Sequence, residues 1–269
     1  MMPTFVRRGL SVTATVGTAA ALAIAGSGAA HASSFNYVAL GDSYSSGVGA
    51  GNYTSSSGSC DRSTNAYSQL WTNANAPASY TSVACSGATT ADVLSGQIAS
   101  VTSSTTLVSI TIGGNDVGFS SVMETCVLDS TSSCVSAVNT AESEAESQLP
   151  AKLDAVYAAI KAHAPNARVV VLDYPELYDL SKSSSCIGLS TTDRTDLNQA
   201  SDIIDGVIAT EAAKYGDVFG DVRSAFSGHE ICDSSSWLHS VNILDISESY
   251  HPTASGQSGA YYPVFSSNA

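Results

Sequence analysis

Five short apolar runs, separated by longer segments of helical period, constrain the fold of this chain more than any other feature. They lie at 35–40, 80–85, 106–112, 167–174 and 217–222. The third reads Leu107-Val108-Ser109-Ile110-Thr111-Ile112, and the fourth contains Val169-Val170-Val171-Leu172. Continuous β-branched runs of this length suit strands buried on both faces of a parallel sheet. A short helical pattern covers 90–98. A longer one covers 137–163, where Val138, Ala141, Ala145, Leu149, Leu153, Val156, Tyr157 and Ile160 recur every three or four positions. Pro150 predicts a break into two helices there. The pattern at 191–215 opens on Ser190, Thr191 or Thr192 as cap and stops at Gly216. A last helix is expected over 252–262. Strands alternating with helices predict an α/β chain, its parallel sheet covered on both faces. Ligands of such sheets bind beyond the carboxyl ends of the strands.

Three polar, glycine-rich turns fall at those ends. Gly41-Asp42-Ser43-Tyr44 follows the first run, Ser86-Gly87 the second and Gly113-Gly114-Asn115-Asp116 the third. Ser43 is either a turn residue or a nucleophile. A nucleophilic hydroxyl needs a base within hydrogen-bond reach. Of the five histidines, His31 precedes the first run, and His163 sits at a helix end, where a cation suits the dipole. His229 and His239 flank Cys232 in a loop-rich stretch and read as packed or surface residues. His251 lies in Glu248-Ser249-Tyr250-His251-Pro252-Thr253, just before the last helix, and is a credible base. Pro252 after it fits a first helical position. Acyl transfer also requires donors aimed at a developing oxyanion. The Gly87 N–H, with no side chain to obstruct it, the Asn115 side chain and the Ser43 N–H are candidates.

Residues 1–32 read as an export signal: Arg7 and Arg8, then a weakly polar apolar stretch, then the small-x-small site Ala30-His31-Ala32. Residues 33–269 then form one domain, with no linker or repeat. The formal charge is −14, and loss of the two arginines makes it more negative. That excludes nucleic acid as a partner and electrostatic capture on anionic membranes. No second apolar run is long enough for a membrane anchor. The six cysteines, Cys60, Cys85, Cys126, Cys134, Cys186 and Cys232, all follow the signal, as in an exported protein with three disulfides. Six cysteines allow 15 pairings. Sequential pairing is expected, with Cys126 and Cys134 closing a short polar loop. A zinc site fits poorly, because no Cys-x-x-Cys occurs and the histidines are scattered.

These residues resemble the blocks of the SGNH, or GDSL-type, hydrolases. Gly41-Asp42-Ser43-Tyr44 resembles the first block, with Tyr44 where leucine is usual. Ala84-Cys85-Ser86-Gly87-Ala88 resembles the glycine block, Gly113-Gly114-Asn115-Asp116 the asparagine block, and His251 the histidine block. The resemblance runs from Phe35 to the last helix and is most like secreted actinomycete lipases and phospholipases. It implies a flavodoxin-like three-layer α/β/α sandwich and a metal-free, cofactor-free serine ester hydrolase. Ser43 and His251 would be catalytic, with Ser43, Gly87 and Asn115 forming the oxyanion hole. One position departs from the pattern: the family places aspartate three residues before the histidine, and Glu248 stands there. The third member is therefore either Glu248 or the main-chain carbonyl of Ser249, as in some secreted relatives. We favour a Ser43–His251 dyad assisted by that carbonyl.

The leading expectation is a secreted, monomeric hydrolase of lipid esters, acting on triacylglycerols, phospholipid acyl esters or both. A carbohydrate deacetylase of the acetylxylan esterase kind uses the same chemistry, and a small polar pocket would favour it over an apolar trench. Tyr44, Tyr53, Phe119 and Leu177 are candidate wall residues. A non-catalytic carbohydrate-binding module is the alternative from another class, commonly a β-sandwich.

Overall fold

The computed structural model describes residues 33–182, 186–242 and 244–269, besides Met1, Pro3, Thr4 and Gly9. The expected export signal, 1–32, lies outside the described residues apart from those four. Five strands form one parallel sheet in the order β2-β1-β3-β4-β5: β1 Ser33–Gly41, β2 Pro77–Ser82, β3 Leu107–Thr111, β4 Arg168–Leu172 and β5 Val218–Gly220. The register sets Gly41 beside Thr111, so β1 and β3 end together. An all-parallel sheet rules out the β-sandwich module. Each strand was expected within a few residues of its place. The largest displacement is β2, which starts three residues before the apolar run at 80–85, because its half-exposed residues carry little hydrophobic signal.

The helices are α1 Ser43–Ser46, α2 Tyr67–Asn75, α3 Thr90–Ser95, α4 Phe119–Leu128, α5 Thr131–Ser147, α6 Leu149–His163, α7 Thr191–Lys214, α8 Arg223–Phe226, α9 Ala254–Gly256 and α10 Tyr262–Asn268. Tyr37 packs on Trp71 of α2 and Phe265 of α10, which cover one face of the sheet. Helices α3, α5, α6 and α7 pack on one another and form the third layer. Pro150 lies in the first turn of α6, where its missing N–H costs nothing, and separates α5 from α6 as expected. Helix α5 begins at Thr131, six residues before the pattern at 137, because the Ser130 side chain caps it by accepting the Ser133 N–H. The α7 cap is Ser190, in a capping box with Asp193.

The last helical segment corrects the expectation at 252–262. Pro252 precedes the helix and bridges Leu238, and Thr253 is the cap. Helix α9 continues through a π-helical turn, Gln257–Tyr261, into α10. Helices α2 and α4 were not anticipated. Disulfides join Cys60–Cys85, Cys126–Cys134 and Cys186–Cys232, the sequential pairing. Among the described residues, no helix is long and apolar enough to cross a membrane.

Candidate active site

The end of β1 delivers Ser43. Gly41 has φ +120°, and a Cβ there would collide with the Thr111 carbonyl oxygen. Glycine is what lets the strand turn this close to β3. Buried Gln97 holds that glycine: Oε1 accepts its N–H at 2.7 Å, and Nε2 donates to its carbonyl at 2.8 Å. Asp42 then caps α1, its Oδ1 accepting the Tyr44 N–H at 3.0 Å. Ser43 is the first residue of that helix. Asp42 Oδ1 also accepts from the Thr111 hydroxyl at 2.6 Å, and Oδ2 accepts from the Tyr174 hydroxyl at 2.5 Å. Burial raises the Asp42 carboxyl to about 6, against the pull of these donors. A carboxylate so committed braces the turn rather than taking part in chemistry.

His251 comes from the loop before α9. Its Nε2 lies 2.7 Å from Ser43 Oγ, and its Nδ1 lies 3.0 Å from the Ser249 carbonyl oxygen. With Nδ1–H donating to that carbonyl, the Nε2 lone pair faces the serine. Both side chains are nearly enclosed, Ser43 at 7% and His251 at 9% exposure. Burial drives the imidazole down to about 4; the Ser249 carbonyl opposes this and His239 reinforces it. The loop is fixed on several sides. The His239 N–H donates to the His251 carbonyl at 3.0 Å, and its Nε2 lies 2.8 Å from the Gly49 carbonyl oxygen. Tyr250 has φ +65°, and its carbonyl accepts the Tyr44 hydroxyl at 2.7 Å.

The Glu248 carboxylate is engaged elsewhere. Oε1 accepts the Tyr53 hydroxyl at 2.6 Å, and Oε2 accepts Asn242 Nδ2 at 3.3 Å. Tyr53, expected as a wall residue, therefore braces Glu248 and accepts the Gly49 N–H at 2.9 Å.

The Gly87 and Asn115 turns meet. Asn115 Nδ2 donates to the Ala88 carbonyl at 2.9 Å, and the amide carries a second hydrogen. Asn115 shares a narrow cleft with Ser43, of about 20 Å³. Gly87 has φ +76° with open space where a Cβ would stand, so its backbone is accessible. The Cys85 N–H donates to the Gly41 carbonyl at 3.0 Å, tying this loop to the base of the Ser43 turn. Asp116 accepts the N–H and hydroxyl of Thr90 at 2.9 and 2.7 Å, seating α3.

An apolar cavity of about 420 Å³ reaches His251 between α4 and the 241–251 loop, lined by Phe119, Met123, Val127, Leu128, Val241 and Ile246 among others. Across Phe119 a smaller apolar cavity, about 50 Å³, runs between Tyr44, Tyr174 and Leu177. Three of the four expected wall residues thus line cavities. The remaining described histidines are held by other groups: His163 Nδ1 lies 3.0 Å from the Val101 carbonyl oxygen, and His229 stacks on Trp237 at 3.6 Å between ring centres.

A model of the GDSL-like lipase/acylhydrolase family matches residues 39–258. The chain belongs to that family. It is a carboxylic ester hydrolase. Lipase 1 of Streptomyces coelicolor is 60% identical over 233 residues, 87% of this chain and 86% of the relative. The phospholipase A1 of Streptomyces albidoflavus NA297 is 56% identical with a TM-score of 0.85, covering 87% of this chain and 98% of that one. The extracellular lipase of Streptomyces rimosus is 52% identical with a TM-score of 0.84, covering 87% and 99%. An acetyl-xylooligosaccharide esterase from Geobacillus, 14% identical with a TM-score of 0.51 over 86% and 92%, shares the fold alone.

Within this GDSL-type hydrolase, sequence reasoning missed Gln97, Thr111 and Tyr174. Tyr174 and Thr111 both stand at carboxyl ends of strands on the edge that carries Ser43, which is the signal that could have found them. Gln97 lies within the helical pattern at 90–98, and nothing there points to Gly41, 56 positions away.

Proposed function

We propose that this chain is an exported lipase with phospholipase A activity, working through a Ser43–His251 dyad. Residues 1–32 serve as a cleaved leader, and residues 33–269 are the catalytic domain. The single observation that carries the reading is the 2.7 Å approach of His251 Nε2 to Ser43 Oγ, with Nδ1 held by the Ser249 carbonyl. Ser43 Oγ attacks the ester carbonyl as Nε2 takes its proton. The carbonyl oxygen becomes an oxyanion held by the Ser43 and Gly87 N–H groups and the Asn115 amide. Collapse expels the alcohol, which leaves with the proton from Nε2, and an acyl-Ser43 remains. Water then attacks that ester, again losing its proton to Nε2, and releases the fatty acid as Ser43 is regenerated.

The apolar lining of the 420 Å³ cavity beside His251 favours an acyl chain over an acetylated sugar. The similar lipase and phospholipase A1 point the same way. The deciding measurement is a hydrolysis panel of p-nitrophenyl esters graded by chain length, a triglyceride, a phosphatidylcholine and acetylated xylan, with Ser43→Ala as control. Longer acyl chains should react faster. Preference for acetylated xylan would reject the lipid reading, and equal turnover by Ser43→Ala would reject the nucleophile.

A further inference from the structure

Among the described residues of 33–269, the large aliphatic side chains that stand furthest into solvent are Ile187, Leu244, Leu128 and Ile246, exposed by 100%, 93%, 72% and 70%. Singly, exposed aliphatics are ordinary. These four are not scattered. Leu128 and Ile246 line the mouth of the cavity that ends on His251. Ile187 lines the adjoining groove, which shares Val127, Val241 and Tyr250 with that cavity. Leu244 stands two residues before Ile246. Two of the disulfides pin the segments that carry the tips: Cys126–Cys134 lies two residues before Leu128, and Cys186–Cys232 directly precedes Ile187. A rim of bulky aliphatic tips around an apolar cavity is the kind of exposed patch that marks a binding surface.

We propose that this rim docks the protein on a neutral or zwitterionic lipid surface, so that one acyl chain passes from the aggregate into the cavity without crossing water. The inference rests on the lipid-hydrolase reading. Its carrying observation is continuity: the apolar cavity to His251 and the groove that carries Ile187 share Val127, Val241 and Tyr250, and the exposed aliphatic tips lie along them. Charge selects the kind of lipid. The chain carries −14 overall, and Glu124, Asp129 and Asp245 stand on or beside the rim. An anionic surface is therefore repelled, and docking relies on apolar transfer alone.

The test separates docking from chemistry. Ser43→Ala protein is sedimented with phosphatidylcholine vesicles, with and without the double change Ile187→Asp and Leu244→Asp. Both positions lie outside the cavity and are solvent-exposed. The double change should weaken vesicle binding by at least about tenfold. On the Ser43-intact enzyme, phosphatidylcholine vesicle hydrolysis should fall in step, while kcat/KM for monomeric p-nitrophenyl butyrate stays unchanged. Equal vesicle binding by the double variant overturns the rim. Tighter binding to phosphatidylglycerol than to phosphatidylcholine overturns the neutral surface. Failure of the unaltered enzyme on p-nitrophenyl butyrate strikes the hydrolase reading instead, and leaves the Ser43→Ala vesicle result to be judged by itself.

Discussion

The Tyr44 hydroxyl donates to the Tyr250 carbonyl across 2.7 Å, joining the residue after Ser43 to the residue before His251. The Tyr44 carbonyl is held as well, by Gln257 Nε2 at 2.9 Å, from the π-helical turn that follows the histidine loop. The tyrosine that replaces the family's usual leucine is thus a strap between the two halves of the proposed dyad. Tyr44→Phe keeps the ring contacts with Tyr174, His251 and Tyr261 and removes only the hydroxyl. It leaves the Tyr250 carbonyl unpartnered, and kcat should fall about tenfold as the imidazole loses its aim. KM for a soluble ester should hold. A fall in Tm with kcat intact would reduce Tyr44 to a packing residue.

With His251 as the proposed base, activity and stability should both depend on pH, with one sign. Its folded pKa, about 4, lies below the ordinary histidine value. The unfolded chain therefore binds more protons between about pH 6.5 and 4, and stability falls as the pH drops through that window, by ~3 kcal/mol in all. Activity requires the neutral ring, so the acid limb of kcat/KM should lie near pH 4 rather than near 6.5. His251→Asn should flatten the acid side of the Tm–pH curve. A limb at the ordinary histidine value would mean that water reaches the ring.

The chain's own pattern announced most of this geometry, and where it was silent the cause is physical. Strands β3 and β4 are β-branched apolar runs and β1 carries a shorter apolar one, and four candidate site residues sit in short motifs after β1, β2 and β3 or before the last helix. Helix α4 escaped notice because Phe119, Val122, Met123, Cys126 and Val127 share it with serines and no capping side chain begins it. Its buried Met123 and the Cys126–Cys134 disulfide anchor it. Gln97 is likewise fixed by a long-range contact, its bond to Gly41 spanning 56 positions. The role of Glu248 was undecidable in sequence, because one carboxylate three residues from a histidine has many acceptable partners. In the structure Tyr53, 195 positions away, is one of them.

Glu248 and Asn115 offer contrasting tests. The Glu248 carboxylate binds Tyr53 and Asn242, and the Ser249 carbonyl meets His251 Nδ1. Glu248→Gln keeps an acceptor for Tyr53, so kcat should change little. A loss approaching ~10⁴ would make it a triad carboxylate and sink the dyad. Asn115→Ala removes the amide that shares the cleft with Ser43, and kcat should drop by about 10²–10³. A near-normal rate would take Asn115 out of the oxyanion hole.

Asp173 and Asp205 set an alkaline limit on the same framework. Their Oδ2 atoms lie 3.7 and 3.8 Å from Arg223 Nε, and both are buried without a hydrogen-bond partner among the described residues. That guanidinium already binds Asp202 and Asp221 at 2.8 and 2.7 Å. Burial raises both carboxyls, Asp173 to about 8, and Asp173 further raises Asp205 by repulsion. A raised folded pKa contributes stability that is complete below about pH 4 and is lost as the pH climbs through about 8. Asp173→Asn keeps an acceptor for the Val222 N–H, held at 2.7 Å, and removes one titrating charge. Its Tm should decline less with rising pH and exceed the parent's near pH ~9. Asp205 also accepts the Tyr174 N–H at 3.1 Å, and the Tyr174 hydroxyl holds Asp42 beside Ser43. The alkaline loss of rate should therefore move upward with the Tm. Parallel Tm–pH slopes in the two proteins would exclude this pair as the titrating element.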